Sequence, residues 1–387
     1  MHTKAIVARE PTTHPTWGIE EVDIGSPAND EVLVKITATG ICHTDILLSS
    51  IPTGNPLGIA YPKILGHEGA GIVQATGKNV TSVAVGDQVL LSYYSCSSCA
   101  QCQADKPMYC AQFHVENYVG RKGPTVCKAS GEETWARFFG QSSFGEYSLV
   151  AETSVVKVTG LLESEKELSL FAPLGCGFQT GMGAIKNVAK AGKDDVVLIM
   201  GMGAVGMAGL MTAKIQDCKT IIALDRFPAR LRLAEEVGAT HTINTAVPDF
   251  EFQQAVRDIS PNGASVVLDT TGVGKLIEEA YQSLAPMGKL VHVAMPPPDY
   301  RFSLDIARLF AAGKTITGCI EGNCLPSEAI PQMIQWYRKG IFPIDKLVSY
   351  YNGEQGIISA VKLHCWFHST YAQRLVFRGG PVVVFHD

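Results

Sequence analysis

Hydrophobic and polar positions divide the chain into two parts with different rhythms. In the first 160 residues, short apolar runs rich in β-branched residues are separated by turn residues such as Gly86 and Asp87. This pattern predicts an irregular all-β body. The predicted strands cover residues 4–8, 31–39, 69–75, 88–91, 145–150 and 155–158.

From about residue 168 the rhythm changes, and strand-like runs alternate with helical stretches. The predicted strands here cover residues 196–200, 220–224, 265–268, 289–294 and 315–317. Such alternation predicts βαβ units and hence a parallel sheet with helices on its faces. After Gly318 the pattern becomes irregular again, which indicates a return to the first part. At roughly 150 residues per domain, the length of 387 residues suits two domains or one large one.

The composition is that of a folded globular protein, with 46% hydrophobic and 18% charged residues. A net charge of -5, with lysine and arginine spread along the chain, argues against a nucleic-acid partner. Residues 196–213 carry no charge and are long enough to raise the question of a membrane span. Because four glycines interrupt this run, we expect a strand, a tight turn and a buried helix, and no membrane partner.

Cysteine is the most informative residue type in the composition. The chain has 11 cysteines, an odd number that cannot all pair within one molecule. The first ten residues lack the apolar segment and the cleavage site of a secretory signal. We therefore expect a reducing, cytoplasmic location, where clustered cysteines bind metal more often than they form disulfides.

One cluster, formed by Cys96, Cys99, Cys102 and Cys110, has the spacing of a metal site. Three cysteines at intervals of three and a fourth eight residues later can surround one tetrahedral ion, which predicts a closed structural zinc site. A thiol-rich surface loop and an iron–sulfur cluster are the alternatives. Zinc is favoured because the chain has no second cluster motif of this kind. A site with four protein ligands braces a lobe and does no chemistry.

Three further residues could carry chemistry, but they are scattered. They are Cys42 in GICHTD, His67 in GHEGAG and Cys176 in PLGCG. Taken singly, each is consistent with an ordinary buried residue, because a lone cysteine usually packs as a small hydrophobe and a lone histidine is usually a satisfied polar group. Sequence spacing alone does not show that they converge.

The segment GMGAVG predicts a dinucleotide-binding turn, because it follows an apolar strand and opens a helix. Gly201 permits the turn, Gly203 lets the backbone approach a pyrophosphate, and Gly206 allows close packing of helix and strand. Ala204 and Val205 complete the motif at the helix N-terminus, which faces the phosphates.

Asp225 stands 19 residues after Gly206, at the end of the next predicted strand. A carboxylate there can accept both ribose hydroxyls of NAD and repel a 2′-phosphate. The alternative is an ordinary turn residue. Arg226 and Arg230 leave NADP as the alternative cofactor, because an arginine at this end of the strand can bind the 2′-phosphate of NADP. The sequence favours NAD.

In this order, GICHTD, GHEGAGIV, the four-cysteine segment, PLGCGFQTG and GMGAVG resemble a zinc-dependent alcohol dehydrogenase of the medium-chain dehydrogenase/reductase family, over about residues 4–360. VLLSYYSC and FFGQSSFGEYSLV are most similar to the aryl (benzyl) alcohol dehydrogenases. The resemblance implies an α/β fold with a Rossmann doubly wound parallel sheet domain (178–318) and an irregular, mostly-β, GroES-like catalytic domain (1–177 and 319–387). It also implies a homodimer or homotetramer built through the nucleotide-binding domains.

The same resemblance assigns roles around a catalytic zinc ion. Cys42, His67 and Cys176 match its protein ligands, which leaves a fourth position open for water or substrate. Glu68 matches a carboxylate that can shift onto the metal transiently. Asp45 matches the partner that orients the ligand histidine.

The implied reaction transfers hydride between a primary alcohol of aryl or benzyl type, or its aldehyde, and NAD. Thr44 matches the hydroxyl that passes the alcohol proton outward, and its alternative is a turn or capping hydroxyl. By resemblance, His43 lies beside the pyrophosphate, and Thr180 and Arg230 complete the cofactor-binding set. Many relatives carry a histidine where this chain has Leu47, so we expect the proton to leave from the ribose hydroxyl directly to solvent, with assistance by His43 as the alternative.

Two departures and two other functions remain open. Ser92 stands where some relatives carry a bulky aromatic, which predicts a wider pocket bordered by Tyr93, Tyr94 or Phe144, although these rings could also be plain core. Arg374 or Arg378 could supply a charge near the cofactor phosphates. The alternative enzyme is a biosynthetic reductase of a specialised natural-product aldehyde or enal. The alternative of another class is a catalytically silent cofactor-binding structural protein, which would not need every zinc ligand.

Overall fold

The computed structural model describes residues 1–11, 17–297 and 299–350, and the backbone of 374–375. Two sheets occupy the first part of the chain. Their strands are β1 (His2–Ala8), β2 (Gly18–Ile24), β3 (Glu31–Gly40), β4 (Lys63–Ile64), β5 (Glu68–Thr76), β6 (Gln88–Leu91), β7 (Arg121–Cys127), β8 (Glu132–Ala136), β9 (Tyr147–Ala151) and β10 (Val155–Lys157). One sheet closes into a barrel in the order β1-β2-β7-β8-β4, and the other has the order β10-β6-β5-β3-β9.

Two short helices lie among these strands, and two more lead to the second part. They are α1 (His43–Ser49), α2 (Ala100–Gln103), α3 (Glu165–Phe171) and α4 (Gly177–Gly183). Alternate residues of β3 point to opposite faces, and Val32, Val34 and Ile36 are buried against β5 and β6 in one apolar cluster. The carboxyl end of β3 therefore meets the amino end of β5.

The second part is a parallel sheet covered by helices. Its strands are β11 (Val196–Met200), β12 (Thr220–Asp225), β13 (His241–Asn244), β14 (Ala264–Asp269), β15 (Leu284–His292) and β16 (Thr315–Gly318). Every neighbouring pair is parallel, in the order β13-β12-β11-β14-β15-β16. This is the strand order of dinucleotide-binding domains, and it places the ligand crevice at the carboxyl ends of β11 and β14.

Helices alternate with these strands and continue past them. They are α5 (Ala204–Ile215), α6 (Pro228–Val237), α7 (Phe252–Ile259), α8 (Gly274–Gln282), α9 (Ile306–Ala312) and α10 (Pro326–Arg338). The uncharged run 196–213 is β11, a turn at Gly201 and the buried helix α5, as the glycines predict. None of the described helices is both long and apolar enough for a membrane span.

After β16 the chain runs back towards the first part. A short 3₁₀ turn, Glu321–Asn323, packs against α4, and α10 packs against α4 and β10. Beyond α10, β17 (Val348–Ser349) pairs in parallel with β18 (Arg374–Leu375). The domain boundaries given above stay a prediction.

Several strands are missing from the sequence prediction for identifiable reasons. In β2 only Val22 and Ile24 are buried, and acidic residues occupy the other face. In β7 a glycine and a proline interrupt the run. β13 is short and mostly polar. Each of these strands forms because neighbouring strands supply hydrogen bonds and a packing surface, which is a tertiary effect.

Candidate active site

The four cysteines of residues 96–110 converge on one point. Their sulfur atoms all lie within 4.8 Å of one another. The loop achieves this with tight turns, because Ser97 and Asp105 both adopt a φ of 57°. The segment alone builds the site, which explains why its spacing reveals it.

Backbone and side-chain donors surround these sulfurs. The N–H of Cys99 donates to Cys96 Sγ at 3.4 Å, and the N–H of Ala111 donates to Cys99 Sγ at 3.4 Å. The Ser98 hydroxyl donates to Cys96 Sγ at 3.5 Å. The Ser98 hydroxyl and backbone N–H groups lower the pKa of Cys96 to about 6. Such donors favour thiolates, the form in which cysteine binds zinc.

A second group of metal-binding side chains is buried. Donor atoms of Cys42, His67, Glu68 and Cys176 lie within 4.8 Å of one another. Cys42 precedes α1 directly after β3, His67 and Glu68 lie at the start of β5, and Cys176 precedes α4. Because Gly40 pairs with Glu68 in the β3–β5 ladder, the first three residues meet at one edge of that sheet. The structure thus supplies the convergence that sequence spacing could not show.

Asp45 organises this buried group. Its Oδ2 accepts the N–H of Cys42 at 2.9 Å, and its Oδ1 accepts the N–H of Gly66 at 2.9 Å. The same Oδ1 lies 3.2 Å from His67 Nδ1. Burial opposes a charge on the imidazole, but the Asp45 carboxylate and Cys42 outweigh it and raise the pKa of His67. Nδ1 is thereby committed to Asp45, and Nε2 is the nitrogen left for another partner.

The donors at the centre of this group fit a zinc ion. His67 Nε2 is buried and has no hydrogen-bond partner among the described residues. The hydrogen bond with Cys42, burial and the charge of Cys42 raise the pKa of the Cys176 thiol. A divalent cation between the two sulfurs would remove that repulsion and hold both as thiolates. Two thiolates, one imidazole and an adjacent carboxylate are the donor types that zinc prefers.

Gly40 makes room for the carboxylate of this group. A Cβ atom on Gly40 would lie 1.9 Å from Glu68 Oε2. Glu68 is completely buried, so its carboxylate needs this space beside the two cysteines.

A cavity of about 760 Å³ opens at the carboxyl ends of the parallel strands. It is lined by five of the residues predicted to bind the cofactor, namely His43, Gly201, Gly203, Asp225 and Arg230. The remaining ones lie nearby in the chain: Ala204, Val205 and Gly206 form the first turn of α5, and Thr180 lies half-buried on α4. The cavity has the position expected for a dinucleotide.

The glycines behave as the motif predicts. Gly201 has a φ of 89°, a conformation that glycine tolerates best. A Cβ on Gly206 would lie 1.8 Å from the Gly201 carbonyl oxygen. Any larger residue there would push α5 away from β11.

Asp225 and Arg230 lie together at the end of β12. The carboxylate accepts the N–H of Met202 at 2.7 Å and that of Phe227 at 2.9 Å. Arg230 Nη1 lies 3.7 Å from Asp225 Oδ2. The acid therefore partly neutralises the arginine nearest to it.

Comparison with known proteins agrees with this geometry. Residues 28–160 match the alcohol dehydrogenase GroES-like domain, and residues 204–339 match the zinc-binding dehydrogenase domain. The chain is 34% identical over 340 residues to the geraniol dehydrogenase of Castellaniella defragrans, which covers 87% of this chain and 88% of that enzyme.

Two solved structures are similar over nearly their whole length. One is an alcohol dehydrogenase zinc-binding domain protein from Burkholderia ambifaria, with 36% identity, a TM-score of 0.88 and 99% of both chains covered. The other is the benzyl alcohol dehydrogenase of Acinetobacter calcoaceticus, with 34% identity, a TM-score of 0.86 and coverage of 100% of this chain and 99% of that one.

The chain belongs to the zinc-dependent alcohol dehydrogenases of the medium-chain family. It is an oxidoreductase of alcohols and aldehydes whose cofactors are zinc and a nicotinamide dinucleotide. The predicted fold class, a Rossmann domain with a GroES-like domain, is confirmed.

The aromatic rings of this dehydrogenase differ from the prediction. Tyr93 is buried with its hydroxyl donating to the Cys324 carbonyl at 2.7 Å, and Phe144 packs on Trp17 with ring centroids 5.6 Å apart. Both rings belong to the core, so the pocket-lining interpretation is wrong for them. Tyr94 is half-buried. Arg378 and the side chain of Arg374 lie outside the described residues.

Rings that the sequence analysis did not single out lie closer to the metal-binding group. Phe139 stacks on His67 with centroids 4.4 Å apart, and Phe138 meets the same ring edge-on at 5.3 Å. Tyr118 packs on Phe139 at 5.7 Å and stays half-buried. Burial and the charges of Glu321, Cys176 and Cys42 raise the pKa of Tyr118 to about 12. Tyr118 is thus an aromatic side chain beside the site that is not sealed in the core.

Polar residues behind the site were also missed. Gln141 Nε2 donates to the carbonyls of His67 at 2.9 Å and Ser92 at 3.0 Å, and its Oε1 accepts the N–H of Gly69 at 3.1 Å. Gln141 therefore fixes the backbone on both sides of Glu68. Its only signal in the sequence is its place in FFGQSSFGEYSLV.

Proposed function

We propose that this dehydrogenase oxidises bulky unsaturated primary alcohols, of benzyl type, with NAD at the buried group of Cys42, His67 and Cys176. The observation that carries the proposal is the convergence of those three donors, within 4.8 Å, in an enzyme with a dinucleotide cavity. His43 follows Cys42 directly and lines that cavity, so the two sites adjoin.

Cys42, His67 and Cys176 would hold the catalytic zinc, with Asp45 fixing the imidazole tautomer. Bound zinc supplies Lewis acidity, which makes an alcohol hydroxyl acidic enough to ionise near neutral pH. Glu68 would be the additional carboxylate within reach of that ion. Cys96, Cys99, Cys102 and Cys110 would hold the structural zinc.

Thr44 is the residue that we propose to relay the alcohol proton, accepting it at Oγ1 while its own hydroxyl proton passes outward towards the cofactor ribose. Its hydroxyl lies 3.6 Å from Cys42 Sγ and the residue is half-buried, so it lies between the metal-binding group and solvent. Leu47, also half-buried on α1, has no atom that could carry the proton further. The hypothesis that the proton leaves from the cofactor ribose directly to solvent stays a prediction.

NAD is the cofactor that the Asp225 carboxylate favours. The acid stands at the end of β12 in the cavity wall and pairs with Arg230. A 2′-phosphate would have to displace Arg230 from that pair and approach a buried negative charge. His43, Thr180, Gly201, Gly203 and the first turn of α5 complete the proposed binding set.

The substrate class rests on two supports. Two of the three similar proteins named above act, by their names, on geraniol and on benzyl alcohol, both of which are bulky and unsaturated. Phe139 and the half-buried Tyr118 place aromatic surface beside His67. A flat, apolar substrate suits such surface, because aromatic pairs add to the free energy of burial. A reductase of a specialised natural-product aldehyde or enal is the alternative, and negligible turnover of all three alcohols in the panel below, with two zinc ions bound per chain, would favour it.

We also propose a homo-oligomer built through the parallel sheet. The strand β16 lies at the sheet edge, and near it Met287, Ile306 and Phe310 are 78%, 65% and 87% exposed. An apolar face beside an open sheet edge is a common protein interface. Phe310→Glu should convert the oligomer to a monomer in light scattering; an unchanged mass would exclude this face. The cytoplasmic location stays a prediction.

The deciding experiment measures NADH formation from benzyl alcohol, geraniol and ethanol, with NADP as the cofactor control. We expect kcat/KM for benzyl alcohol to exceed that for ethanol by at least about tenfold, since each buried methylene-sized contact can discriminate by about 10-fold or more. NADP should support less activity than NAD. Equal values for ethanol and benzyl alcohol would contradict the substrate class. A single bound zinc ion per chain together with no activity would favour the silent structural protein.

A further inference from the structure

The turn that follows β16 has an unusual backbone. Glu321, Gly322 and Asn323 adopt φ values of 50°, 67° and 49°, all in the left-handed region. Glycine and asparagine tolerate that region, but glutamate does so at a cost in conformational energy. A strained non-glycine residue that persists is a reason to look for a function.

Contacts from three directions hold this turn in place. Asn187 Nδ2 donates to the carbonyls of Gly322 at 3.1 Å and Asn323 at 3.2 Å. The Tyr109 hydroxyl, from the four-cysteine segment, donates to Asn323 Oδ1 at 2.9 Å. A Cβ on Gly183 would lie 1.9 Å from the Gly322 carbonyl oxygen, so the turn touches the backbone of α4. The turn is therefore a fixed support.

The side chain of Glu321 points into the protein from this support. The residue is only 7% exposed, and among the described residues no cationic side chain forms an ion pair with it. Its Oε2 accepts the Gln179 Nε2 hydrogen bond at 2.8 Å. Burial raises the pKa of Glu321 to about 7. Ionised or protonated, the carboxyl keeps an acceptor oxygen towards Gln179.

Gln179 continues the connection to the metal-binding group. The same Nε2 lies 2.8 Å from the Gly175 carbonyl oxygen and 2.9 Å from Ser92 Oγ. Ser92 Oγ also donates to the Gly175 carbonyl at 2.6 Å. Gly175 immediately precedes Cys176, whose own N–H makes only a long 3.5 Å hydrogen bond within its turn. The Gly175 carbonyl is thus held by two side chains, Ser92 and Gln179.

We propose that Glu321 is a positioning residue for Cys176, acting by orienting the Gln179 amide that, with Ser92, fixes the Gly175 carbonyl. The inference rests on the proposed role of Cys176 as a zinc ligand. It also gives Ser92 a task other than widening the pocket, because its hydroxyl is buried in this network. Second-layer partners of this kind orient ligands and tune metal affinity.

The test compares zinc binding by the full-length protein and its variants at graded chelator concentrations, and records the spectrum after cobalt exchange at the catalytic site. Glu321→Ala should weaken zinc binding at that site by about 10–100-fold and shift the cobalt spectrum. Glu321→Gln keeps an acceptor oxygen and should stay close to wild type. Glu328→Ala, an exposed glutamate on the following helix, is the matched control and should change nothing.

Gln179→Met is the second variant, and it decides the matter if Glu321→Ala fails to fold. It should lose zinc affinity as Glu321→Ala does, and the double variant should be no worse than either single one, because both remove one connection. Wild-type affinity and spectrum in Glu321→Ala would overturn the inference, as would a Glu321→Gln variant as weak as Glu321→Ala or additive losses in the double variant. Wild-type protein with no zinc at Cys176 would instead refute the proposed function.

Discussion

The two cysteine-containing groups of this dehydrogenase are built in opposite ways. Cys96, Cys99 and Cys102 are partly exposed, and one short loop supplies all four sulfurs. Cys42 and Cys176 are 9% and 8% exposed, His67 is fully buried, and each comes from a different element. The first group is bounded by backbone N–H donors, the second by buried side chains such as Asp45.

This difference follows from what each site has to do. A closed site with four thiolates needs only local geometry, which a loop of alternating turns supplies. A site with an open position needs ligands held from outside, because the missing ligand removes one constraint on the others. The buried group is accordingly surrounded by supporting side chains. The four-cysteine group does not depend on such side chains.

The largest effect expected from this comparison is on catalysis. Cys176→Ala should lower kcat/KM by at least about a thousandfold, because metal polarisation contributes several kcal/mol to the transition state. Steady-state NADH formation measures the loss. Cys218→Ala, at a buried cysteine outside both groups, should leave the rate unchanged. Comparable rates in the two variants would contradict the catalytic role of the buried group.

The next effect concerns the support of His67. Asp45→Asn should weaken zinc binding at the buried site by about 10–100-fold, while the four-cysteine site keeps its ion. Metal analysis after dialysis against a chelator separates the two sites by stoichiometry. The exposed Asp258→Asn is the control. Equal loss of zinc from both sites would mean that Asp45 supports the fold in general rather than one ligand.

A smaller effect on activity is expected from removing one ligand of the four-cysteine site. Cys99→Ser should release the structural ion and lower the melting temperature, because a structural zinc contributes folding free energy. Per folded molecule, kcat/KM should fall far less than in Cys176→Ala. Calorimetry and kinetics on the same sample test both statements. A catalytic loss as large as that of Cys176→Ala would show that the lobe takes part in the reaction.

The smallest expected effect is on thermal stability, and it concerns Lys63, a buried side chain outside both metal-binding groups. Lys63 lies behind the site, with Nζ 2.6 Å from the Val119 carbonyl and 5.3 Å from the Phe138 ring centroid, and burial lowers its pKa from 10.5 to about 7. Between those two values the unfolded chain binds more protons than the folded one, so stability rises with pH. Below about pH 7 Lys63 is protonated in the folded protein, so the full free-energy cost of burying its charge lowers the stability of the fold.

Lys63→Met should therefore raise the melting temperature most at or below pH 7, with the gain shrinking as the pH approaches 10.5. Thermal melts across this range measure it. Lys122→Met, at an exposed lysine of β7, should show no such dependence. A gain that grows with pH would have the wrong sign.

The same contrast explains what could be predicted from the sequence. The four-cysteine site and the GMGAVG turn were legible because each is complete within one short segment. Cys42, His67 and Cys176 could be brought together only by family resemblance, because β3–β5 pairing joins Cys42 to His67 and tertiary packing brings Cys176 to them. Gln141 and Gln179 could not be identified from the sequence, because they act on backbone carbonyls that any sequence supplies, and Glu321 acts only through the side chain of Gln179.

The positions of the aromatic side chains could not be predicted from the sequence either. Tyr93, Phe144 and Tyr118 are equally aromatic in the sequence, yet only Tyr118 stays half-buried beside the site. Which ring faces core and which faces cleft depends on the side of the strand or turn that neighbouring elements cover. Residue type alone does not carry that information.

Anomalous diffraction at the zinc absorption edge tests the central claim most directly. The account predicts one peak inside the four-cysteine lobe and another between Cys42, His67 and Cys176, about 2.3 Å from each sulfur and about 2.0–2.1 Å from Nε2. A peak in the lobe with none between those three side chains, in crystals grown with zinc, would contradict it.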